Sequence, residues 1–144
     1  MDLASAWRNP VTYWRTIADL PRSRLGEPVA DMAMAILRLT PPQSSIFLLM
    51  STSKMPLLFF SRRHQAGLFP VYEVGMFTSR VWLEYNRIAL TKSPPDYLIV
   101  PTPSSIADHW EPAPFMPDLT AVWLQRYTKE LYANNEYRLL APDG

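Results

Sequence analysis

Charged side chains near the middle of the chain could bind an anion. Arg62 and Arg63 precede His64, and the forked guanidinium of arginine matches the oxygens of phosphate. A helix is expected to run from about Ser53 through these basic residues. At its start, the Lys54 ammonium and the free backbone N–H groups near Ser53 would attract an anion. The alternatives are structural. The basic cluster could be a solvated helix end whose cations suit the helix dipole, and the serine could be a simple cap.

A second cluster, Asp108-His109-Trp110-Glu111, puts an imidazole between carboxylates. Histidine titrates near neutral pH, so Asp108 and His109 could form an acid–base pair in a loop. No nucleophile or metal partner stands at a recognisable spacing from them, and ordinary polar loop residues are the alternative. Tryptophans and tyrosines elsewhere could stack on sugar rings or bases, but most fit the apolar face of a helix, which favours core packing.

Several common catalytic signatures do not occur in this sequence. It contains no cysteine, which excludes thiol catalysis, disulfides and zinc–thiolate sites, and its two histidines do not favour a dense metal cluster. Its four glycines cannot form a phosphate-binding loop, and neither a G-x-S-x-G elbow nor an H-E-x-x-H helix is present. The sequence therefore predicts no catalytic residue, no metal site and no cofactor.

The composition is that of one globular domain. Hydrophobic residues make up 48% of the 144, enough to build a core, and the length suits a single domain over residues 1–144. The 14 basic and 13 acidic residues nearly cancel, so no charge excess indicates nucleic acid or a membrane surface as a partner. The most apolar stretch, residues 46–60, is interrupted by polar residues and proline, and the N-terminus is not that of a signal peptide.

Apolar spacing and proline positions predict five helices. Residues 1–40 form an N-terminal helical part, with one helix from Asn9-Pro10 to Pro21 and another after Pro28. Later helices are expected from Ser53 or Pro56 through Gln65, from Thr78 or Ser79 to Pro94, and from Asp118 through Leu131. In the fourth helix, the spacing predicts a core-facing stripe of Val81, Trp82, Tyr85, Ile88 and Ala89.

Short apolar runs between chain breakers predict buried strands. Residues 46–50 (IFLLM) and 97–100 (YLIV) lack the polar alternation of an edge strand, so they are expected side by side at the centre of a sheet. Residues 68–74 and 136–140 are weaker candidates, the second as an edge strand. Because strands and helices alternate over residues 41–144, the sequence predicts an α/β fold. The expected form is a small three-layer sandwich, with a three- or four-stranded, mostly parallel sheet flanked by helices.

Such a sheet would form a ligand crevice beyond the carboxyl ends of its strands. The loops after the two central strands place Ser51–Lys54 on one wall and Thr102–Glu111 on the other. One hypothesis for the chain follows directly. It is a stand-alone α/β ligand-binding domain or enzyme, in the cytoplasm, that acts through a crevice lined by the Arg62 and His109 regions.

Several motifs from Pro41 onward resemble a known family. They are T-P-P-x-S-x-I-F-L-L, P-L-L-F-F-S-R-R at Pro56–Arg63, W-L-E-Y-N at Trp82–Asn86, P-P-D-Y-L-I-V at Pro94–Val100, W-L-Q-R-Y at Trp123–Tyr127 and E-Y-R-L-L at Glu136–Leu140. This pattern resembles the soluble C-terminal domain of bacterial polytopic membrane glycosyltransferases of the GT-C type, relatives of protein mannosyltransferases and aminoarabinose transferases. The long proline-rich loop and the N-terminal helices depart from it.

The resemblance implies a second hypothesis, a non-catalytic domain of a membrane-embedded sugar-transferase-like protein. Its partners would be the transmembrane part of the parent protein and a glycan or polyprenyl-phosphate sugar, with no nucleic acid. It would lie at the extracytoplasmic face of the bacterial inner membrane. No residue here matches the family's catalytic region, so no catalytic residue carries over. In this resemblance, Arg62 or Arg63 corresponds to the arginine of the family's Y-x-x-x-R motif. Asp96 and Tyr97 correspond to the D-Y pair of its P-D-Y-I-V strand. A strand-start cap is expected for Asp96, and core packing for Tyr97.

Overall fold

Helices and strands alternate along the part of the chain described by the computed structural model, residues 27–49, 57, 61–68, 80–102 and 117–144. In order, its elements are α1 (Glu27–Leu39), β1 (Ser45–Leu48), β2 (His64–Gln65), α2 (Arg80–Lys92), β3 (Tyr97–Pro101), α3 (Pro117–Arg126), β4 (Lys129–Ala133) and β5 (Tyr137–Ala141). The predicted α/β class is confirmed. None of the described helices is long and apolar enough to cross a bilayer.

The strands form one open sheet in the order β2-β1-β3-β5-β4. β1 pairs in parallel with β2 and β3, whereas β5 pairs antiparallel with β3 and β4. The predicted pairing of the two apolar runs is confirmed, with Ile46 beside Tyr97 and Leu48 beside Ile99. The prediction of three or four mostly parallel strands holds only for the β2-β1-β3 half. The sheet has five strands, and its other half is antiparallel.

Buried side chains pack on both faces of this sheet. On one face the strands contact the apolar stripe of α1, in a cluster of Val29, Met32, Ala33, Ile36, Ile46, Leu48, Leu57, Ile99, Tyr137 and Leu139. On the other face the strands contact α2 and α3, in a cluster of Phe47, Leu49, Ala66, Leu90, Leu98, Val100, Trp123, Tyr127 and Leu140. Successive strand residues alternate between the two clusters, so the consecutive buried residues 46–48 of β1 and 98–100 of β3 are all apolar.

The region after α3 differs from the predicted long helix. α3 ends at Arg126, and residues 129–133, expected to be helical through Leu131, form β4 instead. The Tyr127 hydroxyl donates a hydrogen bond to the Pro95 carbonyl, which fixes the chain where it leaves the helix. The next turn is made by Asn134, whose Oδ1 accepts the backbone N–H groups of Glu136 at 2.9 Å and Tyr137 at 2.8 Å. β4 therefore covers β5, which was expected at the edge and lies inside the sheet.

The helix predicted through Gln65 also ends early. Ser61 has helical backbone, and Arg62 follows with φ 52°, the left-handed conformation that commonly ends a helix. His64 and Gln65 then pair with Ser45 and Ile46 as the short parallel strand β2. A chain that had to reach the edge of β1 could not continue as a helix.

α2 exposes the face that was predicted to lie in the core. Trp82 is 53% exposed and Tyr85 is 55% exposed, whereas Leu83 and Leu90 are buried. Asn86 is also fully buried, and its Oδ1 accepts the backbone N–H of Leu68 at 2.6 Å. A buried hydrogen bond to the chain after β2 thus selects the inward face, although it carries fewer large apolar side chains.

Three predicted features lie outside the described residues. They are the helix over residues 9–21, the strand over residues 68–74 except for Leu68, and the proline-rich loop over residues 103–116. Leu68 itself is not in a strand.

Two buried tyrosines are expected to make the fold sensitive to alkali. Burial raises the pKa of Tyr127 and, more strongly, that of Tyr137, which the Glu136 carboxylate raises further. Unfolded tyrosine ionises near pH 10, so from about pH 10 upward the unfolded chain loses protons that the folded chain retains. The contribution of these two tyrosines to the free energy of unfolding should therefore be fully present below about pH 10 and be lost as the pH rises above it.

Urea unfolding at pH 8 to 11.5 checks this, with tyrosinate absorbance as a second signal. The Tyr127→Phe/Tyr137→Phe variant should start from a lower free energy of unfolding, because Tyr127 loses its bond to Pro95, but should decline less above pH 10. A decline as steep as that of the wild type would contradict the assignment.

Candidate functional site

The carboxyl ends of β1 and β3 lie at the point in the strand order where ligands bind in open α/β sheets. The strands are parallel neighbours, and the Leu49 N–H donates to the Ile99 carbonyl at 2.9 Å just beyond β1. The chain after β1 returns as β2 on one side, whereas the chain after β3 returns as β4 and β5 on the other. As a general rule, open α/β sheets bind ligands at the carboxyl edge between two strands whose connections run to opposite sides.

Only part of the predicted crevice wall belongs to the described residues. Ser53, Lys54, Asp108 and His109 lie outside them, so their roles stay predictions. Thr102 is described and buried, and its groups hold the sheet together. Its N–H donates to the Glu136 carbonyl at 2.8 Å, and its hydroxyl donates to the Asn135 carbonyl at 2.8 Å.

Arg62 and Arg63 lie at the opposite edge of the sheet. They precede β2, whose first residue pairs with Ser45, the first residue of β1. The amino and carboxyl edges of strands this long are about 15 Å apart. The backbone of Arg62 and Arg63 therefore lies on the edge opposite to the one where the crevice is expected, and the ligand-binding role of these residues stays a prediction.

The Arg63 guanidinium binds the C-terminal end of α1. Its Nε donates to the Thr40 hydroxyl at 2.9 Å, and its Nη2 donates to the Thr40 carbonyl at 2.8 Å and the Leu37 carbonyl at 3.3 Å. The Thr40 hydroxyl in turn donates to the Ile36 carbonyl at 2.7 Å. A cation suits this position, because the last carbonyl groups of a helix lack partners and carry negative partial charge. These contacts support the alternative in which Arg63 stabilises a helix end. The helix is α1, whereas the sequence predicted the end of the helix that contains Arg63 itself.

His64 lies at the same amino edge and is exposed. Its Nε2 is 3.3 Å from the Gln43 Oε1 in the turn before β1. The imidazole thus contacts a neutral amide on the neighbouring turn. This geometry joins β2 to that turn and resembles no catalytic arrangement.

Asp96 joins the starts of the two central strands. Its Oδ2 accepts the Ser45 N–H at 2.8 Å and the Ser45 hydroxyl at 3.1 Å. The Asp96 N–H lies 3.0 Å from both the hydroxyl and the carbonyl oxygen of Ser45. The expected role of Asp96 as a strand-start cap is confirmed. Tyr97 is half-buried and packs against the α1-side cluster, which agrees with its expected packing role.

Replacing Asp96 with alanine should lower the free energy of unfolding by about 1–2 kcal/mol, because the Ser45 N–H and hydroxyl lose a charged acceptor at an exposed edge. Chemical denaturation measures the loss. Asp143→Ala, at an exposed C-terminal position, is the control and should change stability by less than about 0.5 kcal/mol. Equal effects of the two variants would contradict the assigned role of Asp96.

Known proteins offer no further guide to this site. Comparison of the chain with family models, with curated proteins and with solved structures found no match. The described residues contain no group of histidine and acidic side chains that could hold a metal ion.

Arg138, near the carboxyl end of β3, was not among the site residues expected from the sequence. It lies on β5 in register with Val100, next to the carboxyl end of β3. The sequence does contain a signal, a single charge between the apolar residues of the Y-R-L-L run. That charge is unusual only because β5 lies inside the sheet, and the sequence had predicted an edge strand there.

Proposed function

We propose that the chain is a non-catalytic α/β domain of a larger, membrane-embedded sugar-transferase-like protein. The observation that carries this proposal is the role of the motif residues behind the resemblance. Arg63 binds the end of α1, Asp96 joins β1 to β3, and the Tyr127 hydroxyl bonds to the Pro95 carbonyl. Each uses its polar atoms to hold backbone segments together, as expected of motifs that specify a fold.

The remaining parts of the proposal follow from the same resemblance. The domain lies at the extracytoplasmic face of a bacterial inner membrane and contacts the transmembrane part of its parent protein, and glycan or polyprenyl-phosphate sugar passes close to it. The predicted three-layer arrangement is part of the proposal. It is supported by the two core clusters, one with α1 and the other with α2 and α3.

Two measurements test this proposal. The purified chain should not turn over a polyprenyl-phosphate sugar or a generic ester, whereas turnover that is lost in His109→Ala would refute it. The reading frame that encodes the chain should also encode several hydrophobic spans. If it does, the chain expressed separately should co-purify with those spans. A frame that encodes no spans, or no co-purification, would contradict the proposal.

The second candidate function is that of a ligand-binding domain, and one observation favours it. The connections after β1 and β3 diverge at the carboxyl edge of the sheet. Amide NMR during titration with a hexose 1-phosphate tests this. Shifts at Leu49 and Thr102, with none at Ser45 and Asp96 on the opposite edge, would support binding in the crevice. No shift at millimolar ligand, or shifts confined to Arg62–His64, would refute it.

A further inference from the structure

Arg138 is a charged residue in an apolar part of the sheet. The interior strands β1, β3 and β5 have the sequences SIFL, YLIVP and YRLLA, and Arg138 is their only charged residue. It pairs with Val100 on β3 and Ala133 on β4. Because side chains alternate along a strand, Arg138 leaves the sheet on the same face as Leu140, the face that Trp123 covers.

The Arg138 side chain is incompletely satisfied. The residue is half-buried, and its Nε is a buried donor that has no acceptor among the residues that the structure describes. The two Nη groups are not among the buried unpaired atoms, which leaves them within reach of solvent. A cation held against apolar surface without an anion is unfavourable, since part of its hydration is lost and no opposite charge replaces it. A negatively charged group in contact with the Nη atoms would supply the missing interaction.

Arg138 also stands at the right edge of the sheet for a ligand. Its partner Val100 is one residue from the end of β3, beside the divergence of the connections after β1 and β3. α3 ends at the other edge, where the Asp143 N–H donates to the Arg126 carbonyl at 2.9 Å. The helix is about 15 Å long, and Leu119, in its first turn, packs against the cluster that contains Val100 and Leu140, on the face of the sheet that Arg138 shares.

We propose that Arg138 binds the anionic group, a phosphate ester or a carboxylate, of a small ligand in the crevice at the carboxyl ends of β1 and β3. This inference rests on the second candidate function, because it assigns a residue and a ligand charge to that crevice. The forked guanidinium can donate two parallel hydrogen bonds to either group. The basic cluster at the opposite edge has no part in it.

The Nε–Hε resonance of Arg138 provides a direct test, because a buried Nε–H exchanges slowly with water. The probes are inorganic phosphate, a hexose 1-phosphate and acetate, with the uncharged hexose as the control. Saturable shifts of Arg138 Nε–Hε and of the Val100 amide with the anions, and none with the hexose, are the expected result. If the hexose alone shifts them, or if no probe does, the proposal is refuted.

Matched variants separate this proposal from the crevice itself. Arg138→Met keeps a long apolar side chain and should weaken binding of the hexose 1-phosphate at least tenfold, about the effect of one charge-assisted hydrogen bond. Arg38→Met, on the exposed side of α1, should leave binding unchanged. If the Leu49 and Thr102 amides of Arg138→Met still shift, with the same affinity for the hexose 1-phosphate, then the ligand binds at the carboxyl edge without Arg138, and the assignment of Arg138 is wrong. If neither amide shifts in the wild type, the second candidate function itself fails.

Arg138→Lys covers the case in which Arg138→Met does not fold, as judged by near-ultraviolet circular dichroism. Lysine retains the positive charge but cannot donate two parallel hydrogen bonds. We expect Arg138→Lys to bind the hexose 1-phosphate more weakly than the wild type. If neither a higher solution pH nor a lower salt concentration restores the affinity, the result supports bidentate binding by Arg138. Wild-type affinity in Arg138→Lys would overturn it.

Discussion

Replacing Trp123 with alanine is expected to lower the free energy of unfolding by about 3–5 kcal/mol, the usual cost of removing a large aromatic side chain from a core. Trp123 is 2% exposed and joins α3 to the sheet. Its ring lies edge-on to Phe47, with centroids 5.3 Å apart, and also packs against Tyr127 at 6.4 Å. No other described residue of α3 is buried, so alanine would leave a large cavity between the helix and β1.

Trp82→Ala is the matched control for this prediction. The same residue type on α2 is 53% exposed, and its ring packs on the neighbouring Tyr85 at 6.0 Å. Its loss should cost less than about 1 kcal/mol, in line with exposed positions. Urea unfolding followed by far-ultraviolet circular dichroism measures both variants. Equal losses would mean that the inward face of α2 or α3 has been assigned wrongly.

The central strands could be predicted from the sequence because their signal is local. Residues 46–50 are apolar without interruption between Ser45 and Ser51, and residues 97–100 are apolar between Asp96 and Pro101. Both faces of β1 and β3 are covered, so no polar alternation is possible there. A strand that is buried on both faces has an uninterrupted apolar sequence, and this pattern can be recognised without knowledge of distant parts of the chain.

The end of the sheet could not be predicted in the same way. Residues 129–133 (KELYA) suit a helix as well as a strand, and only pairing with β5 decides between them. A bond from Asn134 Nδ2 to the Pro28 carbonyl, at 2.9 Å, also ties this hairpin to the start of α1. Contacts between residues so far apart in sequence have no local pattern that would predict them.

The inward face of α2 shows a different limit. The helix is apolar on two sides, one with Trp82 and Tyr85 and the other with Leu83 and Leu90. Periodicity favours the side with the larger side chains, whereas the structure buries the side with Asn86. Gly67, at φ 77°, lies so close that an added Cβ would be 2.5 Å from Asn86 Oδ1. Close approach of that chain segment, which requires a glycine, is what orients the helix.

The candidate site was predictable as a location more than as a set of residues. The expected location of the crevice follows from two adjacent parallel strands, which the apolar runs at residues 46–50 and 97–100 predict. The positions of Arg62 and Arg63 depend on the register between β2 and β1, which no local pattern specifies. The basic cluster is the densest charge in the sequence, yet Arg63 is used for the end of α1.

Arg63→Ala should therefore lower the free energy of unfolding by about 2–3 kcal/mol, because the end of α1 loses its charged hydrogen-bond donor. Partial burial lowers the pKa of the Arg63 guanidinium, but arginine stays charged at any pH at which the protein is folded. Three of the bonds that disappear go to Thr40 and Leu37, at 2.8 to 3.3 Å. Thr40 is 5% exposed, so water cannot fully replace the lost donor.

Two controls separate the hydrogen bonds of Arg63 from its charge. Arg62→Ala removes the same charge from an exposed neighbour and should cost less than about 1 kcal/mol. Arg63→Lys retains the charge but cannot reach the Thr40 hydroxyl and both carbonyl groups at once, so its loss should fall between the two alanine variants. Hydrogen exchange gives a local measurement. The Thr40 amide, which bonds to the Ile36 carbonyl at 3.0 Å, should exchange faster in Arg63→Ala than in Arg62→Ala. If the two alanine variants lose equal stability and exchange at equal rates, Arg63 does not stabilise the end of α1, and the anion-binding hypothesis for the basic cluster regains its basis.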